Sequence, residues 1–477
     1  MAPLAVLRTA EVRRASLLAL FGLIAIALAP RIALLGADYG LDYNEGWNAF
    51  QVKTLLAGRP IYTSREALTG SNYPPLSFLL VGLFARAGLP IVETGRIIAL
   101  IALAGTGGAV FVAVRRFLPA SPRAAWLGAL IFAGYNATVF RYYVGIYDPQ
   151  WLAQALAAWS LVLILGKGTD RRLGTGQVLS AAALVALAVL VKHTALAVPI
   201  AITIWLAVHD RRGLAVWIAA AVAAAGMVLV ADRWWSDGNM VAAIVGENRK
   251  YSAVRLLFHG ALVLSFAPLI AIAGPLFTRS WPDRRLSLLA IGVPTSLALG
   301  LMGSAGEGVD VNAWFDALVM LAIAAPVVLG LSGDRGALRP AMMLATVAIL
   351  LTWGLWAGAN EVAERGWAED YHRQMVARIA RTEGAVACEN LIICYSADKE
   401  FTMDFFRLRQ SIGRGQDPAA IRDAWRRRNI VAVQIEPVRQ GGGPKSLEAL
   451  IAQDFAPVFR LDGRSILKRI PPKTGTE

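Results

Sequence analysis

The chain has 477 residues, of which 56% are hydrophobic and only 17% charged, with a mean hydropathy of +0.53. A soluble domain carries about 25% charged residues, so this composition excludes an ordinary globular enzyme. The net charge of +14 suggests a polyanion partner, but its distribution along the chain, traced below, argues against nucleic acid.

Taken in order, apolar stretches predict membrane-crossing helices at about residues 15–35, 94–114, 124–142, 150–166, 175–191, 195–208, 213–231, 254–276, 286–302, 314–332 and 341–358. A span needs roughly 20 mostly apolar residues, because every backbone amide must find its partner inside the bilayer. The first block is too long for the apolar core of a cleaved leader, and Pro30-Arg31 offers no small-residue cleavage site. Residues 74–87 are apolar but number only 14, so they read as a helix lying along the outer interface. Residues 44–56 read as a second interfacial helix in the same first outer loop, which runs over residues 36–93. A loop of that length is usually functional.

The loops on one side hold Arg8, Arg13, Arg14, Arg115, Arg116, Arg123, Lys167, Arg171, Arg172, Arg211, Arg212, Arg279, Arg284, Arg285, Arg335 and Arg339. Only five acids accompany these sixteen basic residues. The positive-inside rule places that side in the cytoplasm, with the N-terminus inside and the C-terminus outside. The charge therefore reports orientation.

Beyond residue 358 the composition becomes mixed, with 19 basic and 16 acidic residues. Residues 430–435 (IVAVQI) and 457–461 read as strands, and 418–427 as a helix. The expected organisation is an all-α polytopic membrane domain of about eleven helices over 1–358, followed by a small outer α/β domain over 359–477. Cys388 and Cys394 are the only cysteines. They can pair in an oxidising compartment, or stand as two thiols in a buried strand.

The polar residues of the outer loops form the candidate site. Asp42, Asn44, Glu45 and Trp47 (LDYNEGW) follow the first span, and Asn72-Tyr73-Pro74-Pro75 opens the short interfacial helix. Tyr147-Asp148-Pro149 forms one later turn and Lys192-His193-Thr194 another. Residues 306–316 (GEGVDVNAWFD), including Asn312, form a Gly-rich loop. A partly desolvated carboxylate can act as a general base near neutral pH. A lysine and a histidine at membrane depth can hold a lipid phosphate. Trp47 and Tyr73 can stack on a sugar or sit in the headgroup belt. Each has a plainer reading: a solvated loop acid, a snorkelling lysine, interface aromatics. Glu307 and Asp310 could hold a metal, although two carboxylates alone are a weak ligand set.

The order YNEGWNAF, then Leu55 to Tyr62 in an L-x-x-G-x-x-x-Y pattern, then NYPPL, YDPQW, the K-H-T turn and the Gly-rich loop resembles GT-C type membrane glycosyltransferases. It is similar to protein O-mannosyltransferases and to the aminoarabinose transferases that modify lipid A, in a bacterial form. The resemblance spans residues 15–330. It implies transfer of a hexose or pentose, with inversion, from a polyprenyl-phosphate carrier to an envelope protein, lipid or glycan. The chain would sit in a bacterial inner or plasma membrane, with membrane lipids around it and no nucleic-acid partner. Carried over by position, Glu45 is the general base with Asp42 as runner-up, and Asp148 is the second-loop acid. Lys192 and His193 contact the carrier phosphate, with Arg141 assisting. No cofactor is implied with certainty. Metal use is unknown, a divalent cation being one option. Many relatives carry Asp-Glu where this chain has Asn44-Glu45, which keeps a catalytically inactive membrane partner as an alternative. A lipid-linked sugar flippase is the other, though no internal repeat is visible.

Overall fold

The computed structural model describes residues 10–64, 67–166, 173–246, 250–278, 283–332, 338–436 and 446–470. Arg8, Lys167, Arg171, Arg172, Arg279 and Arg335, six of the orienting basic residues, lie outside these.

Each apolar block named above falls on helix. The chain runs through α1 (Ala10–Ala33), α2 (Tyr43–Leu56), α3 (Leu76–Arg86), α4 (Ile91–Phe117) and α5 (Pro122–Ala137). A 3-10 turn at Arg141–Tyr143 leads into α6 (Gln150–Leu165), α7 (Thr175–Val191), α8 (Ala197–His209) and α9 (Arg211–Ser236). Then come α10 (Asn239–Val245), α11 (Ala253–Gly260), α12 (Ala267–Ala273), α13 (Pro275–Thr278), α14 (Arg285–Ser304), α15 (Phe315–Ser332) and α16 (Leu338–Ala380). Among the described residues, five helical segments are long and apolar enough to cross a membrane: Ile91–Phe117, Arg211–Ser236, Ala253–Ala273, Arg285–Ser304 and Val311–Ser332. The chain is an integral membrane protein on this evidence.

Burial separates these helices by role. Residues 317–328 of α15 are all buried, as expected of a helix that is apolar on every side and packed on every side. It forms the centre of the bundle. Trp151 of α6 stacks on Phe315 at its N-terminal end, with ring centroids 4.0 Å apart, and such pairs add roughly 0.5–1.5 kcal/mol beyond the area they bury. In α9, by contrast, only Gly213, Trp217 and Asp232 are buried, so this apolar helix turns its surface outward, where lipid would lie.

Three local expectations change. The single span expected at 254–276 is broken into α11, a 3-10 stretch at Ala261–Phe266, and α12. The helix of the last expected span does not stop near 358; α16 runs unbroken over 43 residues from Leu338 to Ala380, so the change in composition is not a break in secondary structure. The helix expected at 44–56 exists as α2, but it does not lie open on an interface. Residues Glu45 to Val52 are buried on all sides, between the membrane helices and the C-terminal region.

That region contains β1 (Ala385–Cys388), α17 (Leu391–Ser396), α18 (Phe405–Gly413), α19 (Pro418–Arg427), β2 (Ile430–Ile435), α20 (Leu447–Asp454), β3 (Phe455–Leu461) and β4 (Arg464–Arg469). The strands order as β1-β2-β4-β3, with β1 parallel to β2 and the other pairs antiparallel. Cys388 and Cys394 form a disulfide that joins the end of β1 to α17. The core of this domain is not private to it. Leu68, from the segment between α2 and α3, is buried among Phe405, Leu408, Trp425 and Leu467. Gly46 of α2 lies so close to α17 that an added Cβ would stand 2.3 Å from the Ile392 nitrogen. Only glycine permits that approach.

Candidate active site

The N-terminal ends of α2 and α6 and the C-terminal end of α7 bring the site together. Asp42 is the N-cap of α2, in extended conformation, and its Oδ1 accepts a hydrogen bond from the Asn44 nitrogen (2.8 Å). The Asp42-x-x-Glu45 spacing is that of a capping box, with one variation. Glu45 reaches back one residue further, and its Oε2 accepts from the Leu41 nitrogen (2.7 Å).

Glu45 then goes no further toward solvent. Its side chain is fully enclosed and pairs with Arg96 of α4 through two bonds, Nε to Oε1 and Nη2 to Oε2, both 2.8 Å. Oε1 also accepts from the Tyr147 nitrogen (3.0 Å). Each carboxylate oxygen thus holds two donors. Arg96 spends its remaining donors on the carbonyls of Leu35, Ala37 and Tyr39 (3.1, 2.6 and 2.7 Å). A carboxylate so occupied cannot reach an acceptor proton, and the geometry gives Glu45 the work of locking α2 to α4 and to the Tyr147 turn. Asn48, one turn along, reinforces that lock, its Nδ2 donating to the Tyr147 carbonyl (2.8 Å).

Asp42 keeps the freedom that Glu45 lacks. It is half-buried, and among the described residues its side chain is held only by the cap bond from the Asn44 nitrogen. Burial raises its pKa to about 6, with Asp148, Glu45 and Asp310 adding like-charge repulsion and the Asn44 N–H opposing the rise. A carboxylate with that value suits proton abstraction near neutral pH.

Asp148 is buried in the Tyr147-Asp148-Pro149 turn ahead of α6. Its Oδ1 accepts from the Gln150 nitrogen (2.8 Å) and from Lys192 Nζ (3.1 Å). Lys192 stands just past the end of α7, and its ammonium lies 4.7 Å from the centre of the Tyr73 ring. Burial pulls the Lys192 pKa down, but Asp148 and Tyr73 outweigh it and leave it above the ordinary value. His193 is the next residue of that turn and is half-buried. Tyr73 in turn meets Trp47 edge-on at 5.0 Å. Asp310 is exposed in the Gly-rich loop, which Arg255 of α11 orders by donating to the carbonyls of Gly306 (3.0 Å) and Val309 (2.6 Å). Asn312 follows in the 3-10 turn Val311–Trp314, half-buried. Among the described residues there is no cluster of three or more His, Cys, Asp or Glu that could hold a metal.

Two expected site residues go elsewhere. Arg141 is fully buried and donates from Nε and Nη2 to Glu361 of α16 (3.0 and 2.7 Å). Arg31 of α1 approaches the same carboxylate at 3.6 Å. This trio ties α1 to α16 rather than offering a cation to a phosphate. Trp47 is buried too, and its Nε1 donates to Asp404 of the C-terminal domain (3.0 Å), so its indole is a domain contact and not an open stacking platform.

Arg96, Glu361 and Asp404 were not singled out by the sequence. Arg96 carried a signal, being a lone cation inside an apolar span, where ionised residues are costly and paired. Asp404 and Glu361 carry no such signal, lying in the mixed-charge sequence beyond residue 358. A separate cavity of about 420 Å³, lined by Gln51, Thr54, Arg59, Thr69, Glu400 and Arg428, shares no residue with the acid–lysine cluster. Gln51 lies nine residues, about half a turn around and roughly 13 Å along α2, from Asp42.

In structure the chain is similar to ArnT from Cupriavidus metallidurans bound to undecaprenyl phosphate, at 13% identity and a TM-score of 0.62. The match covers 95% of this chain and 98% of that one. The apo state of the same ArnT gives 14% identity and a TM-score of 0.61 over 94% and 97%. The oligosaccharyltransferase AglB from Archaeoglobus fulgidus, in complex with an inhibitory peptide and a dolichol-phosphate, gives 12% identity and a TM-score of 0.52 over 87% and 69%. No protein-family model and no curated protein matches the sequence. At such identities the likeness establishes the fold alone, one shared with ArnT and AglB.

Proposed function

We propose that this chain is an integral-membrane glycosyltransferase. It takes a hexose or pentose from a polyprenyl-phosphate carrier and passes it, with inversion, to a protein, lipid or glycan at the outer face. The observation that carries the reading is the convergence of a half-open acid, Asp42, with a buried acid–lysine pair, Asp148 and Lys192, from three separate outer turns. It gains support from a fold shared with an undecaprenyl-phosphate-bound transferase.

Asp42 takes the proton of the acceptor hydroxyl as that oxygen attacks the anomeric carbon. The bond from that carbon to the carrier phosphate breaks, and the leaving phosphate keeps the electron pair. Lys192 stabilises the charge that gathers on it, and Asp148 holds the ammonium in place. Tyr73 covers Lys192 and limits water around it. In this reading the arginine-rich loops face the cytoplasm, α3 lies along the outer interface, and the C-terminal domain stands outside a bacterial inner or plasma membrane.

The test is deletion of the protein followed by mass spectrometry of envelope glycans and glycolipids, with wild type and Asp42→Asn as complements. Loss of one sugar mass, restored by wild type and not by the variant, establishes the transferase and names its product. An envelope unchanged by deletion removes the reading and favours a membrane partner without activity.

A further inference from the structure

Among the described residues, the C-terminal domain contributes no side chain to the acid–lysine cluster, yet it grips the helix whose N-cap is Asp42. It meets that helix through Gly46 against Ile392, Phe50 stacked on Phe401 and Lys53 paired with Asp398, and it meets the opening turn through one carboxylate. Asp404 is buried and caps α18, accepting from the Arg407 nitrogen (3.0 Å). It accepts from the Tyr43 hydroxyl (3.2 Å) and from Trp47 Nε1 (3.0 Å). Tyr43 and Trp47 are four residues apart and so lie on one face of α2. The Asp404 nitrogen donates to the Leu68 carbonyl of the segment between α2 and α3 (2.8 Å). One residue therefore ties α18, that segment and the opening turn of α2.

The other faces of that turn are held from the membrane side by the Glu45–Arg96 pair and the Asn48–Tyr147 bond. Between them, Gly46 abuts the Ile392 backbone. Asp42 precedes Tyr43 directly, so a shift of the tail-facing side of α2 moves the candidate base. A misplacement of about 1 Å at a reacting group can lower a rate on the order of a hundredfold.

We propose that Asp404 is a positioning residue through which the C-terminal domain sets the orientation of Asp42. This rests on the reading of Asp42 as the base. The domain then serves as more than a docking accessory, because the site is correctly shaped only when the domain is folded against α2.

The experiment uses the full-length protein in lipid nanodiscs and in complemented cells. Wild type is compared with Asp404→Ala, Asp404→Asn and the double variant Tyr43→Phe with Trp47→Phe, which removes both donors while Asp404 stays. The first readout is the titration of Asp42 followed by carbon-13 aspartate resonances, assigned with Asp42→Asn. The charged or titratable groups facing Asp42 are Glu45, Asp148, Asp310, Tyr143 and Arg31, with Lys192 behind Asp148; none of them is changed by the variants. The second readout is the envelope product per molecule of membrane-inserted protein. In Asp404→Ala the Asp42 midpoint should fall from about 6 toward the ordinary aspartate value of about 4. The product should drop at least about tenfold. Asp404→Asn, which still accepts at one oxygen, should fall between the two. An unmoved midpoint with product lost only in proportion to folded protein would overturn the proposal. If wild type makes no product, the transferase reading fails separately. The midpoint then decides the tether alone, a shift supporting it and no shift overturning it.

Discussion

Glu45 and Arg96 face each other through two 2.8 Å bonds with neither side chain exposed. A buried pair of this kind is costly to break from one side, because the survivor is left charged and unpartnered, at about 3–5 kcal/mol. Glu45→Gln and Arg96→Met should therefore lower the thermal midpoint and the yield of membrane-inserted protein, and any loss of transfer should follow that loss. Size-exclusion profiles and a thermal-shift series would show it. A Glu45→Gln protein with wild-type stability and no transfer would return the base to Glu45.

Asp42→Asn keeps a good N-cap, so its thermal midpoint should stay close to wild type. Transfer should fall by about 10² to 10⁴, the contribution of a general base. Activity at half the wild-type level would remove Asp42 from the mechanism.

The transfer rate should lose activity on acidification, with a midpoint near the Asp42 value of about 6. The sign follows from the role: a base works deprotonated, so activity is present above that pH and declines below it. A rate independent of pH between 5 and 7 would contradict this assignment.

Lys192→Met leaves Asp148 buried without its cation, and removes the charge that the proposed function assigns to the leaving phosphate. Weaker binding of undecaprenyl phosphate, measured by native mass spectrometry, is expected together with lower transfer. Lys192→Arg should not restore either fully, since a forked guanidinium does not fit a site shaped around a point charge under the Tyr73 ring. Unchanged lipid binding in both variants would place the phosphate elsewhere.

The Cys388–Cys394 disulfide closes a short loop, with a sequence separation of 6. Its replacement by two serines should destabilise the C-terminal domain by about 2 kcal/mol. Because α17 abuts Gly46, limited proteolysis should then cut both the domain and the segment between α2 and α3 faster than in wild type. Cleavage confined to the domain would argue against the shared core.

The parts that were readable from sequence are those set by local pattern. Apolar blocks placed helices, five of them long and apolar enough to cross a membrane, IVAVQI and residues 457–461 placed β2 and β3, and the helix expected at 44–56 is α2. What local pattern does not carry is pairing at a distance. Glu45 meets Arg96 across 51 residues, Arg141 meets Glu361 across 220, and Trp47 meets Asp404 across 357. Those three contacts turned Glu45, Arg141 and Trp47 from expected site residues into structural ones. Asp148, Lys192 and Tyr73, expected from separate motifs, do come together. The polarity of α2 suggested an interfacial helix because its covering partner, the C-terminal domain, lies more than three hundred residues downstream.

The measurement that bears most directly on the central claim is the level of polyprenyl-phosphate-linked sugar in lipid extracts from cells whose only copy carries Asp42→Asn. A stalled transferase leaves its donor unused, so one polyprenyl-phosphate sugar should accumulate while the corresponding envelope sugar disappears. A donor pool and an envelope both identical to wild type would contradict sugar transfer through Asp42.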